Sequence, residues 1–311
     1  MCSIVDLLPS DEELSTEQIY RVVDGTASYG VKELLLTGGE PFLRKDLFSI
    51  CDYSHAKGLR NIITTNGVLI DADMSERIAG SNLNHIHFSL DGLEETNDYY
   101  RGKHSFAKTI EAIKLLGKKR AAARNLSLGI AVTVMDENVP QLYDIVQLVD
   151  GLNVDVINFQ PLISDNANFI DRKIPQNWVV AEKIPLLRDQ IERIEKSAWK
   201  HITVLKEPRL ELLIKYYQGT LKKADWVCFG GFKTVFVCFS KREPLVYTCH
   251  GICGNLNDIS LKKAWTSREA QKLRMHSRNC RNLCIQSCYS REASGNLKNA
   301  LDCKTRKGNN E

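Results

Sequence analysis

Nowhere in this sequence does an apolar run reach the length of a membrane span. The N-terminus lacks the charged-then-apolar pattern of a secretion signal. Lysine and arginine never gather into a block. The triplet Lys118-Lys119-Arg120 falls at an expected helix end, where cations suit the dipole, and the net charge of +4 is mild. These absences argue against a membrane partner and a nucleic-acid partner, and they predict a soluble, cytoplasmic protein. Cysteine is nearly missing from the first 227 residues, with Cys2 and Cys51 alone, and then eight follow. Ten cysteines without a secretion signal point to metal or redox work rather than disulfides. Their crowding marks a separate C-terminal domain.

A hydrophobic content of 43% over 311 residues supports one large α/β domain and a smaller one. The organising stretch is Leu34-Leu35-Leu36-Thr37-Gly38-Gly39-Glu40-Pro41. An apolar strand runs into two glycines, a carboxylate and a proline. Adjacent glycines let backbone approach a ligand closely. Glu40, at the strand's carboxyl edge, can accept bonds from an ammonium group, and Pro41 fixes the exit. A plain strand-to-helix turn with a surface Glu would carry the same letters, so the surroundings decide.

Those surroundings repeat one unit. Ser15-Thr16-Glu17-Gln18 is a capping box that opens a helix ending at Gly30. Strands are expected at 33–36, 61–64, 85–90, 127–134 and 156–159, five in all, with none before the first helix. Helices are expected at 46–57, 71–79, 105–116 and 139–149. Strands alternating with helices make a parallel sheet, whose site lies at the strands' carboxyl ends. Gly38-Gly39-Glu40, Thr65-Asn66-Gly67, Ser89 with Asp91, and Gln160 all follow strands and so share one rim. Beyond them, 176–199 reads as a long amphipathic helix interrupted by Pro185, and 207–217 as another. A β-hairpin is expected at 234–239 and 243–248, then short helices at 259–264 and 267–275. Cys51 and Cys238 read as core residues, His85 and His87 as packing or rim polar groups, and Tyr99 and Tyr100 as surface packing.

In their order and spacing these segments resemble radical S-adenosylmethionine enzymes with a C-terminal SPASM or twitch extension, and the resemblance spans nearly the whole chain. Gly38-Gly39-Glu40-Pro41 resembles the family motif that binds the methionine amino group. Thr64-Thr65-Asn66-Gly67 resembles its next strand end. His87-Phe88-Ser89-Leu90-Asp91-Gly92, with Tyr100-Arg101-Gly102 and Phe106, is similar to the segment near the ribose. The resemblance implies an α/β fold: a partial (β/α)6 barrel with its first strand missing, and a small cysteine-rich domain. It divides the chain into a barrel core at 1–170, a helical linker at 171–225, the iron–sulfur domain at 226–303 and a disordered tail at 304–311. It implies S-adenosylmethionine bound by Gly38, Gly39, Glu40, Pro41, Thr65, Asn66, Ser89, Asp91 and Gln160. A [4Fe–4S] cluster would be held by three thiolates, its fourth iron left for the cofactor. An electron then yields a deoxyadenosyl radical that takes hydrogen from substrate.

The sequence departs from that pattern in two places. There is no Cys-x3-Cys-x2-Cys. Cys2 matches the place of the third ligand, so the first two cysteines and the first strand are expected upstream of residue 1. In the C-terminal region, the resemblance assigns Cys228, Cys249 and Cys288 to one auxiliary [4Fe–4S] cluster. It assigns Cys280, Cys284 and Cys303 to a second. The tail is one cysteine short of the family's set, which leaves three options. Cys238 or Cys253 completes it, an iron stays open to substrate, or there is a single twitch-type cluster. Zinc on the cysteine triplet is the alternative metal. The expected function is a radical oxidoreductase that modifies a peptide or protein side chain, served by an electron donor such as flavodoxin or ferredoxin. The alternatives are a small-molecule or coenzyme-biosynthesis dehydrogenase, and a non-catalytic binding scaffold that kept a structural metal.

Overall fold

The computed structural model describes residues 13–120, 126–163, 176–206, 209–240, 243–248, 251–280, 285 and 290–292. The chain opens with α1 (Thr16–Ser28), and its capping box is formed: Ser15 accepts from the Gln18 amide and the Gln18 side chain accepts from Ser15 N–H. Then come β1 (Glu33–Leu36), a 3-10 turn over Pro41–Leu43, α2 (Leu47–Ala56), β2 (Arg60–Thr65), α3 (Ala72–Ala79) and β3 (Leu83–Ser89). After them run α4 (Glu94–Arg101), α5 (Ser105–Lys119), β4 (Ser127–Val134), α6 (Leu142–Gly151), β5 (Val156–Pro161), α7 (Ile184–Lys196), β6 (Thr203–Val204) and α8 (Leu210–Tyr217).

Strands β1 to β6 form one six-stranded sheet in sequence order, every pair parallel. With sequential neighbours paired parallel, right-handed crossovers carry the connecting helices to one face, where α2, α3, α5, α6, α7 and α8 share a core with the strands. That face is apolar. Ile63, Ile86, Phe88, Leu128, Ile130, Val132, Ile157 and Phe159 pack in one core with Ile113 and Leu116 of α5, Val146 and Val149 of α6 and Leu187 of α7. Side chains alternate along each strand, so intervening residues line the opposite, inner face. Burial of Phe88 is complete, and truncating it to Ala would cost about 3–5 kcal/mol.

Three expectations change. The sheet has a sixth strand, β6, which at two residues is too short to leave a pattern. Helix α4 was not expected, because Glu94–Arg101 is mostly polar and shows no apolar stripe. Pro185 does not interrupt a helix: it stands in the first turn of α7, where its missing N–H has no intrahelical partner to lose.

The C-terminal part carries β7 (Trp226–Cys228), β8 (Phe236–Ser240), β9 (Glu243–Thr248), β10 (Gly251–Asn255), α9 (Leu261–Thr266), α10 (Arg268–Asn279) and β11 (Ser290–Glu292). The expected hairpin, β8 with β9, is extended by β10 into a three-stranded antiparallel sheet. Glycines 251 and 254 hid β10 from the sequence. Gly254 lets α9 approach: a Cβ there would lie 2.7 Å from that of Ala264. A second small core of Val246, Cys253, Leu261, Ala264, Ala270 and Leu273 holds the sheet to both helices. It meets the large domain where Leu261 lies against Gly25 of α1. Among the described residues no helix is long and apolar enough to cross a membrane.

Candidate active site

The glycine turn after β1 ends in a clamp. Glu40 caps the Pro41–Leu43 turn by accepting from the Phe42 amide at 3.2 Å. The same oxygen, Oε1, accepts from Thr65 Oγ1 at 2.8 Å, and Oε2 accepts from the Asn66 amide at 3.0 Å. A carboxylate offers about four acceptor positions. Three are filled by described residues, and one on Oε2 is left among them for an ammonium group. Thr65 Oγ1 also accepts from the Gly67 amide, and Asn66 Oδ1 from Val68 N, so the β2 end is tied down from both sides. Gly67 has φ +74°, and a Cβ there would touch the Phe88 ring at 3.0 Å.

Gly38 has φ +143°, and among the described residues neither it nor Gly39 has an atom within 4 Å of where a Cβ would stand. No described residue therefore covers this backbone beside the remaining Glu40 acceptor. A carboxylate acceptor beside uncovered backbone suits the ammonium of an amino acid, which the methionine end of S-adenosylmethionine would bring. Pro41 shapes the rim from the turn without a donor of its own.

The β3 end is built differently from the expectation. Ser89 lies half-buried on the inner face. Asp91, expected beside the ribose, is 5% exposed, and three of its acceptor positions are taken by protein. Oδ2 meets Arg101 Nε at 2.8 Å and Nη2 at 2.5 Å, and Oδ1 accepts from Thr133 N at 2.7 Å. Asn97 accepts from the Asp91 amide, and Asn138 donates to the carbonyls of both Asp91 and Thr133. Asp91 thus ties the rim loop to β4. Asn97 and Asn138, both fully buried, were missed by the sequence, because single asparagines between elements carry no periodicity.

Register sets the inner face. His85 stands opposite Ile62 and Ser127, His87 opposite Thr64 and Gly129, and Ser89 opposite Ala131. Ala131 lies beside Asn158, and Thr133 beside half-buried Gln160. Gln160, Thr133 and Ser89 therefore mark the same carboxyl rim. His85 and His87 pack as expected, ring against ring with centroids 4.1 Å apart, on the inner face below Ser89. Burial pushes both imidazoles down, His87 to about 4 with the charge of His85 adding to the effect.

Of the expected cluster ligands, Cys2, Cys249, Cys284, Cys288 and Cys303 lie outside the described residues. Cys228 is half-buried, and its Sγ accepts from Gly230 N–H at 3.3 Å, the kind of bond that tunes a thiolate ligand. Cys280 closes α10. Cys253 is buried in the small core and donates to the Val246 carbonyl, so packing accounts for it. Cys238 is exposed rather than in the core, because β8 turns it away from that cluster. Cys51 is fully buried as expected, its thiol pushed up to about 12 by burial. Tyr99 is on the surface, whereas Tyr100 is buried.

Residues 1–149 match the Radical SAM superfamily. The AdoMet-dependent heme synthase of Methanosarcina barkeri is 32% identical over 281 residues, covering 84% of this chain and 76% of that protein. The chain belongs to the radical SAM superfamily. Membership implies an enzyme that uses S-adenosylmethionine and a [4Fe–4S] cluster. Mycofactocin maturase MftC of Mycobacterium ulcerans is 35% identical over 152 residues, which is 48% of this chain and 40% of that protein. Against another relative the chain spans only 37% of the length. Among solved structures, anSMEcpe with bound AdoMet superposes with a TM-score of 0.60 over 87% of this chain and 78% of that one. At 14% identity this is a likeness of fold.

Proposed function

We propose that this radical SAM chain takes hydrogen from a peptide or protein side chain. The observation that carries the radical part is the Glu40 clamp beside the open backbone of Gly38 and Gly39. When bound, the cluster and S-adenosylmethionine supply a deoxyadenosyl radical. The chain's own residues then do three things. Glu40, held by Thr65 and Asn66, orients the methionine ammonium. Ser89 and Gln160 face the ligand from the strand ends, with Asn66 beside them. The network around Asp91 keeps that rim rigid.

Cys2 supplies one thiolate to the radical cluster in this reading. Cys228, Cys249 and Cys288 serve one auxiliary cluster, and Cys280, Cys284 and Cys303 a second, with flavodoxin or ferredoxin as electron donor. The Gly230 bond to Cys228 supports the first set. So does the pairing of β11 with β7, which sets Ser290, two residues after Cys288 in the chain, opposite Cys228.

A second reading has its own support. The heme synthase match runs over 84% of the chain, well past the barrel strands, and favours a small-molecule substrate of coenzyme biosynthesis. Anaerobic purification with iron and sulfide counting, followed by a deoxyadenosine assay under dithionite, tests the shared radical step. Deoxyadenosine release that needs Glu40 supports it. An iron-loaded protein that neither binds nor cleaves S-adenosylmethionine would leave the binding-scaffold alternative.

A further inference from the structure

The turn after β7 wraps a sulfur. Gly230 N–H points back at Cys228 Sγ across 3.3 Å, and the Phe232 and Lys233 amides both close on the Phe229 carbonyl. Gly231, at the tip, has φ +77°, a left-handed backbone that glycine adopts without a steric penalty. A half-buried sulfur that accepts an amide bond is the chemistry of an iron–sulfur ligand, so this turn fits the metal that the family implies. Glycine loses the most freedom when ordered, and a turn with two of them needs an outside hold.

That hold is Arg274 of α10. Its Nε donates to the Gly231 carbonyl at 2.7 Å, and its Nη2 donates to the Trp265 carbonyl at 2.7 Å. The guanidinium lies over the Trp265 ring, 4.5 Å from its centroid. Phe232, next to Gly231, stands near both Arg274 and Arg278, at 5.9 and 5.4 Å from their guanidinium carbons. Arg274 is half-buried, where water competes less well for these bonds. Two donors in a rigid fork and a flat face for stacking are what arginine offers and lysine does not.

The same helix meets the next cysteine segment. A Cβ on Gly231 would stand 3.3 Å from Arg274 Cγ and 3.4 Å from Thr248 Cγ2. The turn is therefore pressed between α10 and the end of β9, where Thr248 directly precedes Cys249 in the chain. On the other side of Cys249, a Cβ on Gly251 would stand 3.4 Å from Leu273 Cδ2. Further along, α10 ends at Cys280, whose amide closes on the Ser277 carbonyl. Neighbouring residues of one helix thus meet the turn after Cys228 and the chain beside Cys249.

We propose that Arg274 is a positioning residue for the C-terminal metal site: by tying Gly231 to α10, it fixes the turn whose amide bonds Cys228 and seats that thiol beside the Cys249 segment. The proposal rests on the reading of these cysteines as iron–sulfur ligands. Arg274 acts through the backbone of the turn and not by contact with the metal.

The test uses the full chain, purified without oxygen and loaded with iron and sulfide. The C228S variant identifies which part of the iron, and which electron paramagnetic resonance signal under dithionite, belong to this site. R274M keeps the stem but loses both donors and the charge, and R274K keeps the charge but loses the fork. Reduction puts negative charge on the sulfurs, so an amide bond to a ligand sulfur favours the reduced state. Loosening the turn should therefore lower the potential at which this signal appears, in R274K as well as in R274M. R274M should also hold the iron of this site about tenfold less tightly against a chelator. An arginine that only anchored α10 would act otherwise: the molecules still folded would show the parent's signal at the parent's potential, in smaller amount. That result would overturn the proposal. So would R274K at the parent's potential beside a lowered R274M, which would mark charge alone as the cause. Iron in C228S equal to that of the parent would remove the metal from Cys228, and the proposal with it. Loss of iron in C228S with both Arg274 variants unchanged would sink the proposal and leave the ligand reading standing. S-adenosylmethionine binding, read on the same samples by calorimetry, reports separately on the radical step.

Discussion

Thr65 Oγ1 donates to Glu40 Oε1 across 2.8 Å and joins the carboxyl ends of β1 and β2. The two residues are 25 apart in sequence. Their bond fixes the direction in which the remaining Glu40 acceptor points, and the first prediction follows from it. Thr65→Val keeps shape and removes the donor. Binding of S-adenosylmethionine should weaken several-fold, corresponding to about 1 kcal/mol for one hydrogen bond. Glu40→Gln should weaken it by more than tenfold, because the charge is lost as well. Isothermal calorimetry on both variants measures this; equal affinities for parent and Glu40→Gln would refute the assignment.

The Asp91–Arg101 pair makes a second prediction. Asp91 is almost wholly buried, while the Arg101 side chain is about a quarter exposed. Removing one partner of a buried pair strands the other, at about 3–5 kcal/mol. Partial solvent access to Arg101 places Arg101→Met near the low end, about 3 kcal/mol. Arg101→Lys keeps charge but loses the two-point contact and should cost less. Urea unfolding of the two variants gives the difference.

Acid stability offers a third. His87 sits near 4 in the fold against an ordinary 6.5. Between those values the unfolded chain takes up a proton that the native chain does not, so stability falls as pH drops from 6.5 to 4 and is unaffected above 6.5. The shift corresponds to about 3 kcal/mol at most. His87→Leu should flatten this limb of a stability–pH curve. A variant curve as steep as the parent's would show that other groups carry the acid limb.

A fourth concerns Gly67. Its φ of +74° and the Phe88 ring 3.0 Å from any Cβ act together. Gly67→Ala should destabilise by about 2 kcal/mol, from the left-handed backbone plus displacement of a core ring. Thermal melting checks it, and an unchanged midpoint would mean that the loop relaxes freely.

Metal removal supplies the last. Cys228→Ser should lower bound iron and the absorbance near 400 nm while the melting of the large domain is unchanged, since Cys228 lies outside its core. Zinc in place of iron in the anaerobically purified protein would favour the zinc alternative for the C-terminal cysteines.

The sequence by itself determined the parallel α/β fold, because alternation of period 2 and period 3.6 is written in consecutive residues. The Ser15–Gln18 capping box and the turn at Gly38-Gly39-Glu40-Pro41 were legible for the same reason: each is made within a few residues. What joins distant residues was not. The sequence offered Asp91 as a ligand-facing carboxylate, and only tertiary structure spent it on Arg101 and Thr133. Cys238 and Cys253 were both offered to complete a cluster, and packing against α9 and α10 buried Cys253 while Cys238, on the far edge strand of the same sheet, is exposed. The convergence of His85 and His87 over Gly129 depends on the register of β3 against β4, more than 40 residues apart in sequence. That register is set by burial of the apolar face as a whole, which no local pattern encodes.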